Sequence, residues 1–279
     1  MELINRRGLI TGAGQGIGRA IAIAMGRSGA CLYLWGRTKS NLLETQKLVR
    51  SVGAEVEVTT VDVSVVSEVK RAWDVVAGRW GGIDVLVNNA GVQGPMGHMH
   101  EIHVEDWWRT IEINLRSTFL CSQSVLPNMI MQNRGKIINL SGGGAVTPRP
   151  FFSAYSASKA AIVRLTETLA AEVKDNGIDV NAIAPGAVNT QMLDQRLAAG
   201  SSIGEVEREA AIDLVQDGGI DIAKPAALAV FLASDKSNGL SGRLLSAVWD
   251  PWEKMDLKKV METETFTMRR LNMDEGSIV

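Results

Sequence analysis

Short apolar runs alternate with longer stretches of helical periodicity along most of this 279-residue chain. The runs at 7–11 (RGLIT), 31–35 (CLYLW), 55–61 (EVEVTTV), 83–88 (IDVLVN), 136–141 (KIINLS), 178–184 (IDVNAIA) and 242–248 (GRLLSAV) predict strands. Between them, apolar residues at helical spacing predict helices at about 17–28, 39–52, 65–80, 104–131, 154–175 and 224–234. Strand and helix repeated in this order predict a parallel sheet covered by helices on both faces. Right-handed crossovers then leave one leading α/β topology: a doubly wound, mostly parallel seven-stranded sheet of Rossmann type, in a single domain over 1–248. Two segments break the rhythm. The stretch 186–223 is a long excursion of the kind used for lids and binding loops. Residues 249–279 form a C-terminal tail of polar and aromatic character.

Composition narrows the class without naming a function. The chain is 46% hydrophobic and 22% charged, ordinary for a globular protein with one full core. Its net charge of −2 gives no electrostatic case for nucleic acid or an anionic membrane. The N-terminal stretch is too polar for a signal peptide, and no apolar run approaches a membrane span, so a cytoplasmic location is expected. The two cysteines, Cys31 and Cys121, lie inside apolar patterns and read as small buried hydrophobes in a reducing compartment.

Chemistry-bearing residues concentrate at two places. The stretch LITGAGQGIGRAIA follows the first strand and opens a helix. Its glycines Gly12, Gly14, Gly16 and Gly18 allow a tight turn and let a pyrophosphate approach the helix N-terminus; a glycine-rich turn without a ligand is the plainer alternative. Farther on, Tyr155 and Lys159 stand at i and i+4 and share one helix face. A phenol is a poor base at neutral pH, and a nearby ammonium favours the phenolate. An ordinary surface pair would look the same in isolation. All three histidines, His98, His100 and His103, lie in GHMHEIH, but without a companion ligand cluster no metal site is expected.

Six short motifs, in order, resemble the short-chain dehydrogenase/reductase family across residues 1–248. They are TGAGQGIG (11–18), VDVS (61–64), NNAG (88–91), Asn114 in IEINLRS, YSASK (155–159) and NAIAPGAVNT (181–190). The resemblance implies an NAD(P)-dependent oxidoreductase that interconverts a small-molecule ketone and a secondary alcohol. It further implies a cofactor site made of Gly12, Gly14, Gln15, Gly16, Ile17, Gly18, Asp62, Val63, Asn89, Ala90, Gly91, Tyr155, Lys159, Pro185, Gly186, Val188 and Thr190. Asn114, Ser141, Tyr155 and Lys159 are the implied catalytic group, with Tyr155 exchanging the proton while the nicotinamide carries the hydride. Asn114, by the same resemblance, interrupts its helix and anchors a proton-relay water to Lys159. A homodimer or homotetramer is implied as well. At the end of strand two the run WGRTK carries no acid to hold a ribose diol, and Arg37 can pair with a 2′-phosphate. The expected cofactor is therefore NADP rather than NAD. A dehydratase or epimerase, or a nucleotide-binding sensor without turnover, are the alternative readings.

One position departs from the family pattern. The family's third catalytic group is a Ser thirteen residues before the Tyr, and here that place is Gly142, with Ser141 one residue earlier. Side chains alternate along a strand, so an extended backbone would turn Ser141 away. Either the Gly142-Gly143-Gly144 run re-aims Ser141, or another group such as Ser153 replaces it, or the glycines leave room for a polar substrate that positions itself; the third is preferred. The polar 93–103 segment, with Gln93 and His98, suggests a polyhydroxylated ketone. Trp107 and Trp108 are expected in the core or a subunit contact, and Trp249 and Trp252 either in a subunit seam or closing over substrate.

Overall fold

The computed structural model describes residues 1–270. Its sheet has seven strands: β1 (Arg7–Thr11), β2 (Cys31–Gly36), β3 (Val56–Thr60), β4 (Val85–Asn88), β5 (Gly135–Leu140), β6 (Ile178–Ala184) and β7 (Leu244–Ser246). They run in the order β3-β2-β1-β4-β5-β6-β7, and every neighbouring pair is parallel. The central strands are covered on both faces, and β5 is buried at all six positions, Lys136 and Asn139 included. Strand order reverses between β1 and β4, which opens a crevice at their carboxyl ends.

Two cores lie on opposite faces of this sheet. On one, helices α1 (Gly16–Arg27), α2 (Lys39–Ser51) and α9 (Ala223–Ala233) bury Ile21, Met25, Leu42, Val49, Leu228 and Leu232. On the other, α3 (Val66–Trp80), α5 (Ser117–Met131) and α6 (Ser153–Glu172) bury Val69, Val76, Cys121, Val125, Met129 and Leu169. Among the described residues no helix is long and apolar enough to cross a membrane.

Three features differ from a simple strand–helix reading. The predicted helix over 104–131 is broken: α4 (Val104–Ile111) passes into a π-helical turn at Glu112–Arg116 before α5 begins. The excursion 186–223 is itself largely helical, with α7 (Gln191–Ala199) and α8 (Glu205–Gln216). Residues 249–270 of the tail fold back onto the domain. Trp252, Met255, Leu257 and Phe266 pack against the α1–α9 core, and Trp252 lies 5.6 Å from Phe231 between ring centroids. The β7 edge is capped by a hydrogen bond from Leu244 N to Phe266 O at 2.8 Å. Buried Arg243 donates to the carbonyls of Val260 (3.1 Å) and Thr263 (2.9 Å), at and just beyond the short helix α10 (Leu257–Met261). Trp252 thus serves the core, whereas Trp249 is 83% exposed.

Candidate active site

At the β1 end the glycine loop is clamped from the neighbouring strand. The Asn89 side chain donates to the carbonyls of Thr11 (2.9 Å) and Gly12 (3.1 Å), and Thr11 Oγ1 accepts from the backbone N–H of Asn89 and Ala90. Gly12 adopts φ +63, and a β-carbon on Gly18 would overlap the Gly12 carbonyl and the Asn89 amide, so only glycine fits there. The chain then enters α1 at Gly16, with the first-turn N–H groups facing a cleft of about 650 Å³. Gly12, Gly14, Gln15, Gly16, Ile17, Gly18, Arg37, Asp62, Val63, Asn89, Ala90, Gly91 and Thr190 all line it. Free amides at a helix N-terminus and a glycine cradle that side chains would fill fit a dinucleotide pyrophosphate.

Arg37 is exposed at the end of β2, on the cleft wall, and among the described residues it has no ion-pair partner. Asp62 is partly buried, which works to raise its pKa. Hydrogen bonds from Ser64 N (2.9 Å) and Oγ (2.6 Å), with the charges of Arg109 and Arg37, outweigh burial and hold it low. Across the cleft, Asn189 and Thr190 line the wall, and the Thr190 methyl lies 3.4 Å from where a Gly16 β-carbon would stand; Pro185, Gly186 (φ +81) and Val188 lead to them from β6 but are not among the lining residues.

Next to Gly91 at the edge of the cleft lie Tyr155 and Lys159, both buried on α6. Lys159 Nζ donates to Leu140 O at 2.8 Å and sits 5.6 Å from the Tyr155 ring centroid. Gly91 links the two ends: its β position is 3.2 Å from Asn114 Oδ1 and 3.6 Å from Lys159 Nζ. Asn114 occupies the middle of the π turn and is fully buried. Its side chain accepts from Val92 N (2.8 Å) and donates to Val92 O and Ser158 Oγ (2.9 Å each), tying the β4 loop to α6.

The three-glycine stretch resolves differently from the preferred sequence reading. Ser141 points away from the phenol; its buried hydroxyl donates to Lys159 O at 3.4 Å. Ser153 accepts from Trp107 Nε1 at 3.1 Å and is likewise engaged elsewhere. Gly142 does not leave open space: a β-carbon there would overlap the Tyr155 phenol oxygen. The volume a side chain would take is filled by the phenol itself.

Charges around the phenol come chiefly from residues outside the motifs. Burial pushes the Tyr155 phenol up, and Arg149 and Arg196 pull it back down. Burial also lowers Lys159 to about 8. The excursion covers this region, since Ile203 packs with Phe152 and Tyr155. Gln93 is buried with its Oε1 unpartnered, and the exposed His98 ring meets Phe151 edge-on at 5.0 Å.

The family model for short chain dehydrogenase matches residues 7–199. The chain belongs to this family. It is 37% identical over 251 residues to the uncharacterized oxidoreductase YxbG of Bacillus subtilis, covering 88% of this chain and 90% of that protein. Among solved structures, NAD+-bound xylitol dehydrogenase superposes with a TM-score of 0.82 at 30% identity, over 88% of this chain and 98% of that one. An actinorhodin polyketide ketoreductase with NADPH gives 0.80 at 31% identity, over 86% and 95%. The chain is thus an NAD(P)-dependent short-chain dehydrogenase by family.

Sequence reasoning on this short-chain dehydrogenase missed several residues of the crevice. Asn41 reaches Gln15 (3.3 Å), and Gln15 reaches Gln191 (2.6 Å), closing the cleft mouth across 176 positions of sequence. Arg149, Arg196 and Glu207 converge near Tyr155, and no motif announces them. A larger cavity of about 840 Å³ lies at the opposite end of the strands, where Lys136, Asp179, Glu167 and Arg243 mix charges of both signs. It is remote from the tyrosine.

Proposed function

We propose that this protein is an NADP(H)-dependent oxidoreductase interconverting a ketone and a secondary alcohol, with Tyr155 as the proton donor and acceptor. The observation that carries the reading is the adjacency of the two ends: Gly91, which lines the cleft, abuts both Asn114 and Lys159, and Lys159 Nζ lies 5.6 Å from the Tyr155 ring centroid. Gly12 to Gly18 would hold the pyrophosphate, Asp62 and Val63 the adenine, and Arg37 the 2′-phosphate. When bound, the nicotinamide supplies the two-electron chemistry. The Tyr155 phenol gives its proton to the carbonyl oxygen in reduction and recovers it in oxidation. Lys159, fixed by Leu140 O, keeps a positive charge near the ring and holds the ribose. Asn114 positions the β4 loop beside Lys159. Thr190 lines the far wall for the nicotinamide, and Pro185, Gly186 and Val188 lead to it from β6. The half-exposed Trp108 and Phe119 on α4 and α5 support a homo-oligomer.

A panel of ketones assayed by nicotinamide absorbance tests this reading. Turnover is expected with NADPH and is abolished in Tyr155→Phe, while the variant still binds NADPH. Full activity in Tyr155→Phe sinks the proton-transfer role.

A further inference from the structure

Two arginines face the candidate proton donor, and the proposed ketone chemistry alone does not account for them. Arg149 leaves the glycine-rich loop before α6. Its guanidinium carbon lies 6.0 Å from the Tyr155 ring centroid and 3.9 Å from that of Phe152. Its Nη1 is 3.7 Å from where a Gly143 β-carbon would stand, in the strip beside Gly142 and the phenol. Arg196 projects from α7 and exerts its charge on the same phenol. Both are largely buried, with side-chain exposures of 15% and 11%.

One carboxylate serves both. Glu207 on α8 accepts from Arg149 Nε (2.7 Å) and Nη2 (2.8 Å), and from Arg196 Nη2 (3.0 Å). Two guanidinium groups against one carboxylate leave an uncompensated positive charge in a sheltered place, which is costly unless an anion joins it. Donors are left over as well. Among the described residues, Arg196 Nε is buried without a hydrogen-bond partner, and Arg149 uses only Nε and Nη2, leaving Nη1 unpaired. A bridge that only held the excursion in place would need one arginine.

We propose that Arg149 and Arg196 form a carboxylate-binding subsite beside Tyr155, so that the substrate is a keto acid or hydroxy acid whose carboxylate lies a few carbons from the reacting carbon. Glu207 shows that the Arg149 fork holds a carboxylate in bidentate geometry, which favours that anion over a phosphate. The subsite also supplies what Gly142 and the averted Ser141 do not: a polar grip that sets the carbonyl against the phenol. The arginines reach the crevice from two separate segments, so the substrate's carboxylate would draw the excursion onto the site.

The carbonyl half of this inference rests on the proposed function, and two measurements keep the failures apart. In the first, 2-, 3-, 4- and 5-oxohexanoic acids are each compared with their methyl esters as substrates of the full chain with NADPH. At least one acid is expected to exceed its ester in kcat/KM by roughly ten- to hundred-fold. That preference is expected to collapse in Arg149→Gln and Arg196→Gln. The acid-to-ester ratio is unaffected by any general loss of activity those variants suffer. In the second, tartrate is titrated as a binding probe and read by thermal melting. Stabilisation is expected in the wild type, weaker in Arg196→Gln and stronger in Glu207→Gln, where the competing carboxylate is gone. Arginine-dependent tartrate binding with no turnover of any carbonyl compound would leave the subsite standing and remove the oxidoreductase reading. Turnover with acids and esters used equally well in the wild type, whether or not the variants fold, would overturn the subsite and leave the oxidoreductase.

Discussion

Gly142 lies directly against the phenol oxygen of Tyr155: a β-carbon on residue 142 would come inside 3.0 Å of it. Tyr155 is 8% exposed, so its ring has little freedom to retreat. The missing side chain and the position of the proton donor are therefore one feature of the site.

It follows that restoring a side chain there displaces the tyrosine. Gly142→Ala and Gly142→Ser are both expected to lower kcat on a small ketone by roughly ten- to hundred-fold, as a misplacement of about 1 Å at the reacting group does. NADPH affinity, measured by fluorescence titration, should stay within about threefold, because the glycine loop and Asn89 are untouched. A Gly142→Ser variant with raised kcat would mean that the phenol relocates freely and that the hydroxyl is useful.

The sheet was legible in the sequence to within one or two residues at most strand ends, because strands buried on both faces are dominated by apolar residues even where Lys136 and Asn139 in β5 or Asp179 and Asn181 in β6 interrupt them. The helices of the excursion were not. α7 and α8 each bury a single residue, Leu193 and Ala211, too few to write a helical period. The π turn at Glu112–Arg116 shifts hydrogen-bond register without disturbing apolar spacing, and only the resemblance carried by Asn114 pointed to it. The glycine-loop residues share one cleft, as their spacing suggested. Arg149 and Glu207 are 58 positions apart, and nothing local in either segment signals their meeting. Ser141 was readable as averted from strand alternation alone, and its hydroxyl is turned to Lys159 O.

Arg37 offers a test of cofactor choice. It is exposed on the cleft wall at the end of β2 and makes no ion pair among the described residues, so its charge is free for a ligand. Arg37→Gln keeps a polar side chain but removes the charged fork. NADPH affinity should fall by roughly ten- to hundred-fold, the range of a lost charge-assisted pair, while NADH changes by less than about threefold. Equal losses for both cofactors would remove Arg37 from the 2′-phosphate.

The described part of the tail contributes to the core. Trp252 and Phe266 pack on the α1–α9 cluster, and the tail carbonyls satisfy buried Arg243. A chain ending at Val248 would expose that apolar surface and strand a buried guanidinium, a combined loss of several kcal/mol. It should express poorly or melt more than about 10 °C lower. The milder Trp252→Ala should cost about 2 kcal/mol in chemical denaturation with KM unchanged. A raised KM at undiminished stability would instead put the tail over the substrate.

Lys159 links function to stability through pH. Burial lowers its pKa from 10.5 to about 8, and the nearest hydrogen-bonding partner is the neutral carbonyl of Leu140. Below pH 8 the lysine is protonated in both folded and unfolded chains, and the folded state bears the whole cost of a buried ammonium, roughly 3 kcal/mol. Between pH 8 and 10.5 the unfolded chain binds more protons than the folded one, so this cost shrinks as pH rises, and above 10.5 it is gone. Lys159→Met removes the charge but leaves Leu140 O unpaired, which gives back about 1 kcal/mol. The variant without cofactor should therefore be about 2 kcal/mol more stable than the wild type at pH 7, about 1 kcal/mol more stable at pH 9, equal near pH 10 and slightly less stable by 10.5. Urea denaturation of both proteins at those pH values measures the difference, in which other titrating groups cancel. A wild type more stable than the variant at pH 7, or a difference that does not vary with pH, would mean that Lys159 is not held charged in a desolvated site and that its buried ammonium is compensated by a partner other than Leu140.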